Sequence, residues 1–442
     1  MFKIFKLIKS FFFKNVYYTS EVFKNNGIPQ YTLVKRHDIE DKLNEIVQLR
    51  NKVVLFLGYS KSGKTVYRKT FFNEKNIHPI VYRSNKDSTC NDFYNYICQE
   101  ANIPTKTGVN NSSEETLELQ NTTGIKDISS TNIKGISKSS KSKSYKYPDI
   151  KIDVNHVCNN LSKNRNICIV IEDFHLLNDN FSKTLSEDIK HFLDDEILLV
   201  IIGIPSSPSR ALKNNPDLGG RTLNILFDYL HKEEINEILD KGEKKINVKF
   251  KSDVRDRIIE NSMKNVFLVQ SIALKLLESN GIKKSSTNLV EFSDPNDVDK
   301  ACIKLKDELY NDYKEIINSI LGGSRTQQKN KAYNQYKEIL RAIKEFSIEQ
   351  LENGITYADI GRNSWSKFDP VLIGKYLSDK TYKDETSFRS SLNNQISGAL
   401  TKLHDNFIKK NAREVVIYYD NKLYLMDLVF KFYLIWDTEL IN

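Results

Sequence analysis

Unbroken apolar runs alternate with helical periodicity through the first half of the chain. Val53-Val54-Leu55-Phe56-Leu57, Ile167-Cys168-Ile169-Val170-Ile171 and residues 197–202 contain no charged residue, which predicts strands buried on both faces. Two further strands are expected at 78–82 and 222–227, with helices at 39–49, 66–72, 90–101, 154–162 and 181–192. Strands in alternation with helices predict a doubly wound parallel α/β sheet of five strands. Past Leu230 the pattern becomes short helices without strands at 232–239, 252–262 and 266–277, followed by helical patterns at 297–321 and 333–346. The last hundred residues predict a helix at 388–404 and two short strands at 415–419 and 423–425. An aromatic tail of Phe430, Phe432, Tyr433 and Trp436 follows and reads as core. Helix, helix, β-hairpin is the order of a winged helix.

Two stretches break this pattern. In residues 1–15, Ile4, Phe5, Leu7, Ile8, Phe11 and Phe12 fall on one helical side and Lys3, Lys6, Lys9 and Lys14 on the other. Such a basic amphipathic helix either packs on its own protein, the favoured reading, or makes peripheral contact with a membrane surface. Residues 104–148 turn to Ser, Thr, Asn, Gly and Lys; too little apolar surface is present to order them, and an inserted disordered loop is expected. The organisation that follows is an amphipathic segment at 1–27, an α/β core at 28–230 with its insert at 103–148, a helical lid at 231–281, a helical connector at 282–330 and a winged-helix domain at 331–442.

Composition narrows this only slightly. The 442 residues allow two or three domains. A net charge of +9 is compatible with DNA or an anionic surface, but a lysine-rich chain is basic from composition alone. Five cysteines without a C-x-x-C pair suit a reducing, cytoplasmic setting and argue against zinc or disulfides. No run approaches the ~20 apolar residues of a membrane span.

The chemistry is concentrated after the first apolar run. Gly58-Tyr59-Ser60-Lys61-Ser62-Gly63-Lys64-Thr65 is a G-x-x-x-x-G-K-T phosphate loop placed between a strand and a helix. Glycine lets the strand turn its N–H groups around phosphate oxygens, Lys64 reaches the β- and γ-phosphates, and Thr65 offers a hydroxyl to Mg²⁺. ATP is the expected ligand. The strand at 167–171 ends in Glu172 and Asp173; the first acid is expected to hold Mg²⁺ with Thr65 and the second to orient and activate water, although the roles are exchangeable. His175 reads as a strand-end cap more than as an assisting group. Ser206, after the next strand, is the candidate γ-phosphate sensor. Arg221, set by two glycines, is the candidate arginine finger toward a neighbouring subunit, with Arg210 as its rival.

Together these residues resemble a prokaryotic AAA+/STAND P-loop ATPase, in a branch similar to archaeal-type and origin-licensing ATPases. The resemblance rests on the loop, Ile171-Glu172-Asp173-Phe174-His175, Gly203-Ile204-Pro205, Asn215-Pro216-Asp217-Leu218-Gly219-Gly220-Arg221, the helical lid and the winged helix. Residues 28–36 are similar to the segment with which such proteins contact the nucleotide base. The resemblance implies a P-loop NTPase fold and a slowly hydrolysing ATP switch that forms a homo-oligomer on ATP binding. It also implies action through an effector protein, often in phage defence or stress responses. One departure stands out: Lys264-Asn265-Val266 has neither the lid's usual Gly-x-Pro nor a sensor arginine. The competing reading is a DNA-binding ATPase of the origin or transposition type, with 395–404 as its helix and 406–413 as its basic wing.

Overall fold

The computed structural model describes residues 16–105, 151–203, 218, 220–321, 334–367, 382–410, 413 and 415–438. The amphipathic stretch at 1–15, nearly all of the expected insert, Ser206 and Arg210 lie outside these residues. In chain order the first half holds α1 (Thr19–Val22), α2 (His37–Leu49), β1 (Val53–Gly58), α3 (Lys64–Glu74), β2 (His78–Arg83) and α4 (Cys90–Glu100). It continues with α5 (Val154–Leu161), β3 (Ile167–Glu172), α6 (Asp179–Asp194), β4 (Leu198–Gly203) and β5 (Thr222–Phe227).

The five strands form one sheet in the order β2-β3-β4-β1-β5, parallel throughout. Strand period two decides which residues meet which helices. Val53, Leu55, Leu57, Ile169, Ile171, Leu199 and Ile201 face α4, α5 and α6. Val54, Phe56, Val170, Val200 and Ile202 face α2 and α3. Both faces are covered, which is why the runs carry no polar positions. The doubly wound P-loop NTPase α/β fold expected from the sequence is therefore present, with its strand C-termini on one edge.

The region expected as a lid, 231–281, holds α7 (Lys232–Ile246), β6 (Val248–Phe250), α8 (Ser252–Asn261) and α9 (Val266–Ser279), and β7 (Val290–Phe292) follows in the expected connector. Here the expectation of helices without strands is corrected, since β6 and β7 pair in parallel. Three residues each are too short to show a period of two. Helix α7 also runs past its expected end. Gly242 stands within it where the ring of Phe23 occupies the place a Cβ would take. The glycine makes room for the N-terminal segment.

The C-terminal half holds α10 (Asn296–Glu308), α11 (Tyr310–Leu321), α12 (Gln335–Glu345), α13 (Ile348–Asn353), β8 (Ile355–Thr356) and α14 (Tyr357–Lys367). It closes with α15 (Glu385–Lys410), β9 (Val416–Tyr419), β10 (Lys422–Leu425) and α16 (Leu428–Trp436). Strands β8, β10 and β9 form an antiparallel three-stranded sheet in that order. Phe430, Phe432 and Tyr433 are buried, as the core reading of the aromatic tail expected. One continuous apolar cluster joins α1, the lid and this C-terminal half, so the lid and the C-terminal helices do not have separate cores.

Candidate functional site

The site is built at the strand C-termini. Strand β1 lies between β4 and β5 and is buried at every position, so its end is fixed on both sides. At Gly58 a Cβ would lie 2.5 Å from the carbonyl oxygen of Phe227 and 2.8 Å from Ser62 Oγ; only glycine fits. The chain then turns through two left-handed residues, Lys61 (φ 61°) and Gly63 (φ 92°). Gly63 is the N-cap of α3, so the positive end of the helix dipole faces the loop interior.

Lys64 folds back over this loop. Its Nζ donates to Gly58 O at 2.7 Å, Tyr59 O at 2.5 Å and Ser62 Oγ at 3.3 Å. Burial lowers its pKa to about 8, while the charge of Asp173 opposes that shift. Lys61 reaches the other way, with Nζ 4.1 Å above the ring of Phe267 on α9.

A cavity of about 800 Å³ opens between the loop, the segment 24–36 and the lid helices α7 and α9. Among the described residues, five cationic side chains line it, Lys24, Arg36, Lys61, Lys64 and Lys69, and no Asp or Glu does. Apolar walls are supplied by Ile28, Pro29, Val34, Ile238, Val266 and Phe267. The lining thus combines a concentrated positive charge at the phosphate loop with apolar surface suited to a planar base.

The wall at 24–36 is carried by the lid. Tyr17 N donates to Ser285 Oγ (3.2 Å) and Thr19 N to Lys283 O (3.0 Å), while Thr32 Oγ1 donates to Val22 O (2.9 Å) and accepts from Gln270 Nε2 (2.8 Å). Arg36 ties the same segment to the end of β5 and to α7 through Asp228 (2.9 Å) and Glu234 (3.4 Å). Thr32 and Gln270 therefore belong to the cavity wall. Their separation of 238 residues left no local signal.

The C-terminal half meets the loop directly. Ser60 N donates to Met426 O at 3.4 Å, and Arg413 donates to Ser60 Oγ. Arg413 also pairs with Asp427 at 3.1 Å. Asp427 is buried, accepts from Tyr313 Oη at 2.9 Å and caps α16 at Val429 N. A second bridge runs from Tyr229, after β5, to Glu352 of α13.

The two carboxylates at the end of β3 are placed differently. Glu172 is buried and accepts from Arg68 Nη2 at 3.0 Å, with Arg83 Nε at 3.5 Å. Asp173 is exposed, with φ 56°. Arg221 precedes β5 and its carbonyl accepts from Val53 N at 2.9 Å. That contact is at the first residue of β1, roughly 17 Å along the strand from Gly58 at ~3.3 Å per residue. Arg221 pairs instead with Asp194 at 3.2 Å. The loop and the carboxylate pair are brought to one edge, and Arg221 to the other.

No family model matches the sequence, and no curated protein matches it. Among solved structures, the chain is similar to a Walker-type ATPase of Pyrococcus abyssi (16% identity, TM-score 0.48, covering 93% of this chain and 99% of that one). It is also similar to Cdc6p from Pyrobaculum aerophilum (15%, TM-score 0.39, 96% and 97%). A third is the Aeropyrum pernix Orc1 protein, solved in complex with DNA (11%, TM-score 0.40, 95% and 96%). The functional reading rests on the site itself.

Proposed function

We propose that this chain is an ATP-binding, slowly hydrolysing switch of the AAA+/STAND type. The observation that carries the reading is the cavity lined, among the described residues, by five cations and no acid, with the phosphate loop at its base. A triphosphate enters with its γ-end toward Lys64 and Thr65, and its base lies between the 24–36 segment and α9. Lys64 exchanges its three loop acceptors for phosphate oxygens. Asp173, exposed at the strand end, accepts the proton of the attacking water.

The C-terminal half acts as the brake. With Arg413 on Ser60 and Met426 on the Ser60 amide, the loop is held by the element that the switch would release. Release on ATP would expose surface for self-association and for an effector protein, as the resemblance to defence and stress switches suggests. Calorimetry tests the core of this reading. The parent should bind ATP and Lys64→Ala should not; equal binding by both would sink it.

A second reading is favoured by one observation. Among the described residues, α13, β8, α14, α15 and the β9–β10 hairpin, with the sheet order β8-β10-β9, resemble the order of a winged helix, which supports a DNA-binding ATPase. Filter binding across a salt series separates the two. A log–log slope of several units indicates phosphate neutralisation by DNA contact, and a shallow slope favours the switch.

A further inference from the structure

From the sequence, Thr65 and Glu172 are expected to hold a divalent cation beside the triphosphate. The surroundings of Glu172 do not fit that role. Its Oε1 accepts from Arg68 Nη2 at 3.0 Å, and its Oε2 lies 3.5 Å from Arg83 Nε. Arg68 stands four residues after Lys64 on α3 and is only 4% exposed, and its Nε is buried with no hydrogen-bond partner among the described residues. A guanidinium at that depth depends on its counter-charge. A cation taking Oε1 would strand Arg68. Arg83, with an 80% exposed side chain, contributes far less.

Asp173 is the contrast. It is exposed, its left-handed backbone (φ 56°) turns it off the line of β3, and its carboxylate makes no ion pair among the described residues. A longer acid at the first position is also explained: Glu172 has to reach Arg68, whereas an acid meant for metal is served by the shorter Asp.

We propose that Glu172 is the buried counter-ion of Arg68 and not a metal ligand, which leaves Asp173, of the two strand-end acids, free to act on a bound triphosphate. This rests on the nucleotide reading above. With one of these acids instead of two, the nucleotide's own phosphates and Thr65 supply most of what holds a divalent cation. The strand-end pair contributes through Asp173 alone.

The test compares binding of a non-hydrolysable ATP analogue with Mg²⁺ and with EDTA, together with melting of the nucleotide-free protein. It uses the parent, Glu172→Gln, Asp173→Asn and the double variant Arg68→Met/Glu172→Met. Glu172→Gln should lower the melting temperature yet keep the Mg²⁺/EDTA affinity ratio within threefold of the parent. The double variant, with neither buried charge, should regain melting temperature and keep the same ratio. Asp173→Asn should change the ratio by fivefold or more at unchanged melting temperature. A tenfold collapse of the ratio in Glu172→Gln, or in the double variant where the single one does not fold, overturns the assignment. A parent that binds no analogue in either condition instead overturns the nucleotide reading, and this assignment with it.

Discussion

Arg413 and Ser60, 353 residues apart, meet at the phosphate loop: the guanidinium of Arg413 donates to Ser60 Oγ while it pairs with the buried Asp427 at 3.1 Å. Ser60 lies inside the segment that has to wrap the phosphates. The C-terminal half therefore contacts the loop one residue before Lys61, where the lining of the cavity begins on this loop. Because Asp427 also accepts from Tyr313 and caps α16, Arg413 is the outermost member of a network rooted in the core.

Removing Arg413 should free the loop of the contact at Ser60, at a cost in stability from the buried Asp427. Arg413→Ala is expected to speed release of a fluorescent adenine nucleotide by about three- to tenfold, since a hydrogen bond to a charged group contributes ~1.5–3 kcal/mol, part of it lost to solvent at this half-exposed position. Melting temperature should fall as well, because the buried Asp427 carboxylate loses its ion pair and keeps only its hydrogen bonds from Tyr313 and Val429 N. Stopped-flow release rates equal to the parent's would show that the contact does not restrain the loop.

The packing of Phe23 against α7 gives a second prediction. A Cβ at Gly242 would fall 2.0 Å from the Phe23 ring, so Gly242→Ala must displace that ring and the 24–36 wall behind it. Alanine favours a helix by ~1 kcal/mol over glycine, and overpacking a core costs ~1–3 kcal/mol. The steric term wins. Urea unfolding should show a net loss, and nucleotide affinity should fall along with it. A stabilised variant would mean that Phe23 moves aside freely.

The reach of each signal along the chain explains what could be read in advance. Gly58 to Thr65 declares itself because the loop, the strand before it and the helix after it are contiguous, and the runs of β1, β3 and β4 declare the sheet because both faces are buried. Arg68 with Glu172, Thr32 with Gln270 and Arg413 with Ser60 are pairs 104, 238 and 353 residues apart. No local period or spacing encodes them. Strands β6 and β7 were lost for a different reason, since three residues flanked by strong helices carry too little alternation to register.

Arg221 yields a prediction from its location. It lies beside Val53, at the end of the sheet away from Gly58, so it does not serve its own loop. If it acts as a finger, it acts on a neighbour. Arg221→Ala should therefore bind ATP like the parent and hydrolyse it at least tenfold more slowly. Mixing it with Lys64→Ala should restore turnover in the assemblies where an intact loop faces an intact arginine. Mixtures with only the summed activity of the two variants would remove Arg221 from the mechanism.

Lys431 predicts a pH dependence of stability. It is 4% exposed in α16 and donates to the carbonyls of Ile343 (2.7 Å), Lys344 (2.8 Å) and Phe346 (2.8 Å), at the end of α12. Burial lowers its pKa from 10.5 to about 8, against an opposing pull from Glu345. Below pH 8 the group is protonated in both folded and unfolded chains, and its contribution is constant. Between pH 8 and 10.5 the unfolded chain binds more protons than the folded one, so stability from this group rises with pH. Relative to Lys431→Met, which has no titrating group there, the parent should gain on the order of 2 kcal/mol by pH 10. Urea midpoints of the two proteins at pH 7, 8, 9 and 10 measure the difference. Taking the difference cancels the tyrosines that titrate in both. A difference that stays level from pH 8 to 10 would show that the three carbonyls hold the ammonium charged throughout.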